Sequence, residues 1–278
     1  MLPFRLRSNA VDARVGVLAN PSGECEPQLL TIEAWARELR AEVVDLGTSA
    51  ESTDLPPGCE LVIALGGDGT ILRALHIAMA HHAAVLGINF GHVGFLADTD
   101  GDDLAAALDT IARGDAHVDE RTALVARLDD DAPNRVIAFN DVVIGRVPGF
   151  GTARLRVEID GRPILALVGD GIVIASPTGS TAYTLGAGGP AVVPTLDAII
   201  LTPLASQGSP LRSLVVDGSD TVRVATDTAS APLSVEIDGR NVMELRPSAA
   251  LEVRAAPRKA RLVRTRRRTF YSDLAERL

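Results

Sequence analysis

The residue best placed to do chemistry in this 278-residue chain is Asp68, set among Gly66, Gly67, Gly69 and Thr70. A carboxylate can take a proton from an alcohol, and glycines on both sides let backbone N–H groups approach a phosphate with no Cβ in the way. The same residues would also serve as a tight turn whose aspartate caps a helix. A second polar pair, Asn140 and Asp141, interrupts an otherwise apolar run. Buried polar groups of that kind need partners, and sugar hydroxyls would supply them; an edge strand with both side chains in water is the plainer alternative. A third candidate is the hydroxyl-rich loop Ser176, Pro177, Thr178, Gly179, Ser180 and Thr181, which leads into Tyr183, one of two tyrosines. Among Ala182, Gly186, Ala187, Gly188 and Gly189, that ring offers a flat aromatic face beside backbone that a planar base could approach. His92, in a glycine-spaced loop, reads as a ligand, an acid or a hydrogen-bonded structural residue.

Elements must hold these residues in place. Residues 61–65 form an apolar run that reads as a strand buried on both faces, and Ile71, Leu72, Leu75, Ile77 and Ala78 recur at helical spacing. Asp68 therefore falls between the carboxyl end of a strand and the start of a helix, where open α/β sheets bind ligands and free N–H groups meet anions. Upstream, 14–19 reads as a strand, Asn20, Pro21, Ser22 and Gly23 as the loop leaving it, 29–39 as a helix and 41–46 as a strand; 51–58 is a polar connection. A strand at 84–88 and a helix at 104–111 continue the alternation, which is that of a doubly wound parallel sheet. A boundary is expected at 113–115.

Beyond about residue 118 the pattern changes to short alternating segments. Strands are expected at 122–128, 136–144, 153–159, 164–167, 171–174, 214–216, 221–225, 233–237 and 251–255. Residues 156–167 (RVEIDGRPILAL) are echoed by 234–245 (SVEIDGRNVMEL). In each, Asp-Gly between apolar alternations is a type I′ hairpin signal, which predicts two equivalent hairpins of one β-sandwich, each with an Asp and an Arg at its tip.

Composition narrows the classes. Hydrophobic residues make up 46% of the chain, enough to fill two cores, and a net charge of -9 argues against a general nucleic-acid binder. Arg254, Arg258, Lys259, Arg261, Arg264, Arg266, Arg267 and Arg268 cluster near the C-terminus, and read as a solvated edge strand and tail sooner than a polyanion site. Lys259 is the single lysine, which removes the P-loop and protein-kinase mechanisms, both of which need a lysine beside the phosphates in a defined motif. Cys25 and Cys59 have neither metal-ligand nor CxxC spacing. With no signal-peptide pattern and no run of 18 apolar residues, the expectation is a soluble cytoplasmic protein with no membrane partner.

GGDGT at 66–70, GINFGHVGFLAD at 87–98, FND at 139–141 and GDGIVIASPTGSTAY at 169–183 followed by GAGGP resemble the NAD kinases, in order and in spacing. GGDG alone is shared with diacylglycerol kinases, sphingosine kinases and phosphofructokinases; the later blocks are specific. The likeness extends to the closing RTFYSDLAERL. It implies an N-terminal Rossmann-like α/β domain over 1–115, a C-terminal β-sandwich domain over 116–258, and a tail, 259–278, returning to the first. It implies transfer of a phosphoryl group from ATP or polyphosphate to the 2′-hydroxyl of the adenosine ribose of NAD, giving NADP, with Mg2+ arriving with the donor rather than fixed by protein ligands. Carried onto this sequence, Asp68 would be the base with Gly69 beside it, Gly66, Gly67, Gly69 and Thr70 would form the donor's phosphate loop, and Arg73 would add a charge. Asn140 and Asp141 would hold ribose and adenine. Thr181, Ala182, Tyr183, Thr184, Leu185 and Gly186 would line the adenine pocket, with Asp170 at the nicotinamide end. Ala205 and Arg240 would line the dinucleotide, Ala205 from a neighbouring subunit of a homodimer or homotetramer. The chain departs from the pattern in having Asp141 for the usual Glu, Val168 where many NAD-specific members have Arg, Gly239-Arg240 for Gly-Gln, and LASQGSPLRSL after residue 203.

Overall fold

The computed structural model describes residues 2–4, 6, 13–20, 25–48, 55–90, 94–97, 99–128, 135–207, 211–266 and 270–276. His92, Arg267, Arg268, Pro21, Ser22 and Gly23 lie outside the described residues. The chain divides into two compact units, Met1–Glu120 with Ala260–Leu278, and Arg121–Lys259.

The first unit is an α/β layer structure. Its sheet contains β1 (Leu2–Phe4), β2 (Arg14–Ala19), β3 (Glu42–Thr48), β4 (Cys59–Leu65), β5 (Ala84–Asn89), β6 (Thr99–Asp100), β7 (Ala116–Arg121) and a last strand, here β20 (Ala260–Arg264). The order is β1-β7-β20-β5-β4-β2-β3, with β6 beside β5. Strands β3, β2, β4, β5 and β20 run parallel, and β1 is antiparallel to β7. Alternate residues of β4 face opposite layers. Leu61, Ile63 and Leu65 pack with Ile32, Trp35 and Ala36 of α1 (Glu26–Glu38) and Leu104, Leu108 and Ile111 of α3 (Leu104–Arg113). On the other side α2 (Asp68–His81) covers β4 and β5, with Ile71 lying against Gly87. The Trp35 indole donates to the Leu108 carbonyl at 3.1 Å, satisfying its polar edge inside the α1–α3 contact.

Two expectations change here. The unit runs on past Asp115, because Ala116–Arg121 forms a strand of the same sheet. The arginine-rich segment is not a solvated edge strand: β20 sits between β7 and β5, and Ala260, Leu262 and Val263 are fully buried. Its apolar residues occupy the core while its arginines are absorbed locally, Arg264 by Asp119 at 3.2 Å and Arg261 by the His82 carbonyl at 3.0 Å. A short helix, α5 (Phe270–Ala275), follows.

The second unit is a sandwich of two six-stranded antiparallel sheets. One has the order β12-β11-β16-β19-β8-β9, from β8 (Leu124–Leu128), β9 (Arg135–Ala138), β11 (Ala153–Ile159), β12 (Arg162–Gly169), β16 (Val222–Thr226) and β19 (Ala250–Ala255). The other has the order β15-β14-β13-β10-β17-β18, from β10 (Asp141–Arg146), β13 (Gly171–Ala175), β14 (Ala198–Leu204), β15 (Leu214–Asp217), β17 (Leu233–Ile237) and β18 (Arg240–Leu245). Inward residues from both, among them Leu155, Val157, Val224, Val142, Ile144, Ile172, Ile174 and Val235, make one core. The segment 136–144, expected as one strand, is split: the chain leaves the first sheet after Ala138 and enters the second at Asp141. β10 is an interior strand, so the edge-strand reading of Asn140-Asp141 does not hold. β14, absent from the expected strands, lies between β15 and β13.

Candidate active site

In the first unit, β4 ends at Leu65 and α2 starts at Asp68, with Gly67 as the N-cap in extended geometry. Gly67 and Gly69 are exposed, so the N–H groups at the head of the helix are open to an anion. Thr70 is buried and its N–H returns to the Gly67 carbonyl at 2.9 Å. The Asp68 side chain turns toward the loop after β5, where its carboxylate accepts the Phe95 N–H at 2.9 Å and the Leu96 N–H at 3.2 Å. Gly94 makes this possible: a Cβ there would lie 1.7 Å from Asp68 Oδ1. An ionised carboxylate offers about four lone-pair positions, so two remain for a substrate hydroxyl. The Asp is thus not spent on capping its own helix. Arg73 follows on the second turn of α2, half-buried.

In the second unit, β10 and β13 are paired antiparallel, with Asp141 opposite Ala175 and Gly145 opposite Gly171. One end of this ladder gathers Asn140, Asp141, the loop after β13 and the β17–β18 turn. The Ser176 hydroxyl donates to the Phe139 carbonyl at 2.5 Å, the Ser176 N–H donates to the Asn140 carbonyl at 2.9 Å, and the Gly179 N–H donates to Ser176 Oγ at 3.2 Å. A Cβ on Gly179 would come within 2.0 Å of the Asn140 carbonyl oxygen, so only glycine lets the loop seat there. The loop continues as a 3-10 turn, Thr178–Thr181, and a single helical turn, α4 (Tyr183–Gly186). Ala182, Tyr183 and Gly186 are exposed, Tyr183 49% so; Thr181 and Leu185 are half-buried, and Thr184 is buried. Thr178 and Thr184 keep buried hydroxyl oxygens without a hydrogen-bond partner.

Asp141 is 4% exposed, and burial, reinforced by the neighbouring Asp238 and Glu236 carboxyls, pushes its carboxyl up to about 7. Arg240, exposed, lies two residues past Asp238 at the start of β18. At the other end of the ladder Asp170 pairs with Arg146, Nε to Oδ1 2.5 Å, and the Asp170 N–H donates to the Leu204 carbonyl. There the 204–207 turn folds over Gly169, where a Cβ would meet the Leu204 and Ala205 carbonyl oxygens at 2.7 and 2.9 Å. Ala205 is exposed and holds a left-handed backbone, φ +44°. The structure therefore brings Asn140, Asp141, Arg240 and the loop after β13 to one end, and Asp170 and Ala205 to the other.

Three contributors were not singled out from sequence: Gly94 beneath Asp68, Arg146 on Asp170, and the reach of Asp238 to residues 139–141. Asp238 carried a signal in its repeated Asp-Gly turn and Gly94 in the GINFGHVGFLAD block at 87–98; Arg146 carried none.

The fold, an α/β unit in one chain with a β-sandwich, is shared by two solved structures. Yeast NADH kinase complexed with NADH superposes with a TM-score of 0.78 at 22% identity, covering 97% of this chain and 88% of that one. An NAD kinase from Archaeoglobus fulgidus in complex with ATP gives 0.74 at 21%, covering 95% and 97%. At these identities the likeness speaks for the fold. Sequence goes further. Residues 27–116 match the ATP-NAD kinase N-terminal domain and 139–265 the ATP-NAD kinase C-terminal domain. The NAD kinase of Rhodococcus opacus (strain B4) is 39% identical over 213 residues, 76% of this chain and 67% of that protein. NAD kinase 2 of Streptomyces coelicolor is 34% identical over 255 residues, 88% and 85%. The chain belongs to the NAD kinase family of phosphotransferases.

Proposed function

We propose that this protein transfers a phosphoryl group from ATP or polyphosphate to the 2′-hydroxyl of the adenosine ribose of NAD, yielding NADP, with Asp68 as general base. The observation that carries the reading is the Asp68 carboxylate at the start of α2, held by the backbone N–H groups of Phe95 and Leu96 from the loop after β5. A ribose hydroxyl is a weak nucleophile at neutral pH, and a carboxylate in hydrogen-bond reach is worth roughly 10² to 10⁴ in rate. As the hydroxyl oxygen bonds to the terminal phosphorus, its proton passes to Asp68 and the bond to the donor's bridging oxygen breaks. Of the expected donor loop, the N–H groups of buried Gly66 and Thr70 are already bonded to the Ile88 and Gly67 carbonyls and would only shape the turn. The exposed Gly67 and Gly69 would offer their N–H groups to the donor's phosphates, with Arg73 adding charge. That cradle of donors suits an anion and not a cation, so Mg2+ would enter on the donor, where it neutralises phosphate charge.

In the β-sandwich, Asn140 and Asp141 would hold the ribose and adenine, with Thr181, Ala182, Tyr183, Thr184, Leu185 and Gly186 around the base. Asp170, Ala205 and Arg240 would contact the rest of the dinucleotide. From Asp170 to Ser176 the ladder extends roughly 20 Å at strand spacing, a length that an extended dinucleotide can follow. A cytoplasmic homodimer or homotetramer is the setting this reading carries. Among the described residues no helix is long and apolar enough to cross a membrane.

The test is NADP formation from NAD with ATP or polyphosphate and Mg2+. Asp68→Asn is expected to lower turnover by roughly 10² to 10⁴ while NAD still binds. An active Asp68→Asn protein would overturn the base assignment, and no NADP from either donor would overturn the activity.

A further inference from the structure

We propose that Asp238 is a positioning residue for the nucleotide end of the β-sandwich, fixing Asn140 and Asp141 through their backbone. The inference rests on the reading of Asn140 and Asp141 given above. An Asp-Gly turn needs only a first residue that tolerates positive φ, and Asp238 (φ +48°) with Gly239 (φ +76°) meets that need. The carboxyl group does more. It accepts the N–H groups of Phe139 at 2.9 Å, Asn140 at 2.7 Å and Asp141 at 3.2 Å, while the Asp238 N–H donates to the Asp141 carbonyl at 3.1 Å. These groups belong to the stretch where the chain passes from one sheet to the other and ladder pairing lapses. Buried backbone N–H groups rarely go unpaired, and one carboxyl supplies all three. From the opposite direction Ser176 bonds both the Phe139 and the Asn140 carbonyls, and Gly179 packs against the Asn140 carbonyl. Residues 139–141 are thus held by their backbone on both sides, leaving the Asn140 amide and Asp141 carboxyl as the groups whose placement the clamp determines.

The arrangement is electrostatically unfavourable in itself. Asp238 and Glu236 both face the buried Asp141, and like charges disfavour one another; such local conflicts gather at functional sites. The matching hairpin supplies the contrast, since Asp160 (φ +47°) and Gly161 (φ +74°) form the same turn, yet the Asp160 carboxyl accepts one N–H, that of Thr221 at 3.0 Å.

Asp238→Asn and Asp238→Gly both keep a residue suited to the turn, and Asp160→Asn is the matched control. In the full chain, amide exchange of residues 139–141 is expected to quicken by about tenfold or more in both Asp238 variants, and the dissociation constant for NAD to rise by about tenfold. Asp160→Asn is expected to change neither. Unaltered exchange at 139–141 would overturn the clamp whether or not NAD binds. Faster exchange with unaltered NAD affinity would overturn the positioning role, as would loss of folding in Asp238→Gly. A wild-type chain that takes up no NAD would sink the reading of Asn140 and Asp141, with the exchange result still deciding the clamp.

Discussion

The hairpins β11–β12 and β17–β18 occupy the same place in opposite sheets: each has one strand at the sheet's edge and its partner just inside. Each turns through Asp-Gly with nearly the same φ pair, and each carries a register shift at the same point, between Val157 and Glu158 and between Val235 and Glu236. Each Asp also bonds the chain leading into the neighbouring inner strand, Asp160 at Thr221 before β16 and Asp238 at Phe139 to Asp141 before β10. The difference lies in what that neighbouring chain does. Before β16 it is an ordinary strand start; before β10 it is a crossover carrying Asn140 and Asp141 against the Ser176–Thr181 loop. Equal backbone requirements can therefore support unequal roles, and the hairpin sequence alone does not tell them apart.

The strongest way to break the comparison is to unseat the loop that only one hairpin faces. Gly179→Ala places a methyl 2.0 Å from the Asn140 carbonyl oxygen, a clash with backbone that no rotamer relieves. It is expected to destabilise the chain by about 4 kcal/mol or more, read by chemical denaturation. Next comes the buried acid. Folding raises Asp141 from 3.8 to about 7, so between those values the folded state keeps a proton that the unfolded chain has released. Stability should therefore fall as pH rises through that window, by about 3 kcal/mol between about pH 4.5 and 7. Asp141→Asn should flatten that part of the pH–stability curve. The mildest test sharpens the likeness: Gly161→Ala and Gly239→Ala have open space around the new methyl but a left-handed backbone, and each should lose about 1 kcal/mol. Equal losses in melting experiments would support the equivalence of the turns, with NAD affinity falling only in Gly239→Ala.

Much of this was legible in the residues. The apolar run before GGDG and the helical period after it put Asp68 at a strand end, because a central parallel strand must be apolar on both faces and a glycine turn must end it. Asp-Gly identified both hairpins. Three features were obscured, each for its own reason. The arginines of 261–268 masked the apolar alternation of β20, whose buried Leu262 and Val263 decide its place. Pro203 in β14 spoke against a strand, yet it is accommodated opposite Ile172. The apolar run 136–144 gave no sign of a change of sheet at Phe139-Asn140. Asp238 meets Asn140 across 98 residues of chain, a separation at which local pattern carries no information.

The place of β20 also sets an order of assembly. It fills the gap between β7 and β5, but it follows the whole of Arg121–Lys259 in the chain. On a ribosome the N-terminal half would emerge with an open slot in its sheet, and the sandwich would be complete before the strand that closes it is made. Domains generally fold as units during synthesis; here the first to begin is the last to finish, and until then its exposed strand edges would be the segment most in need of a chaperone.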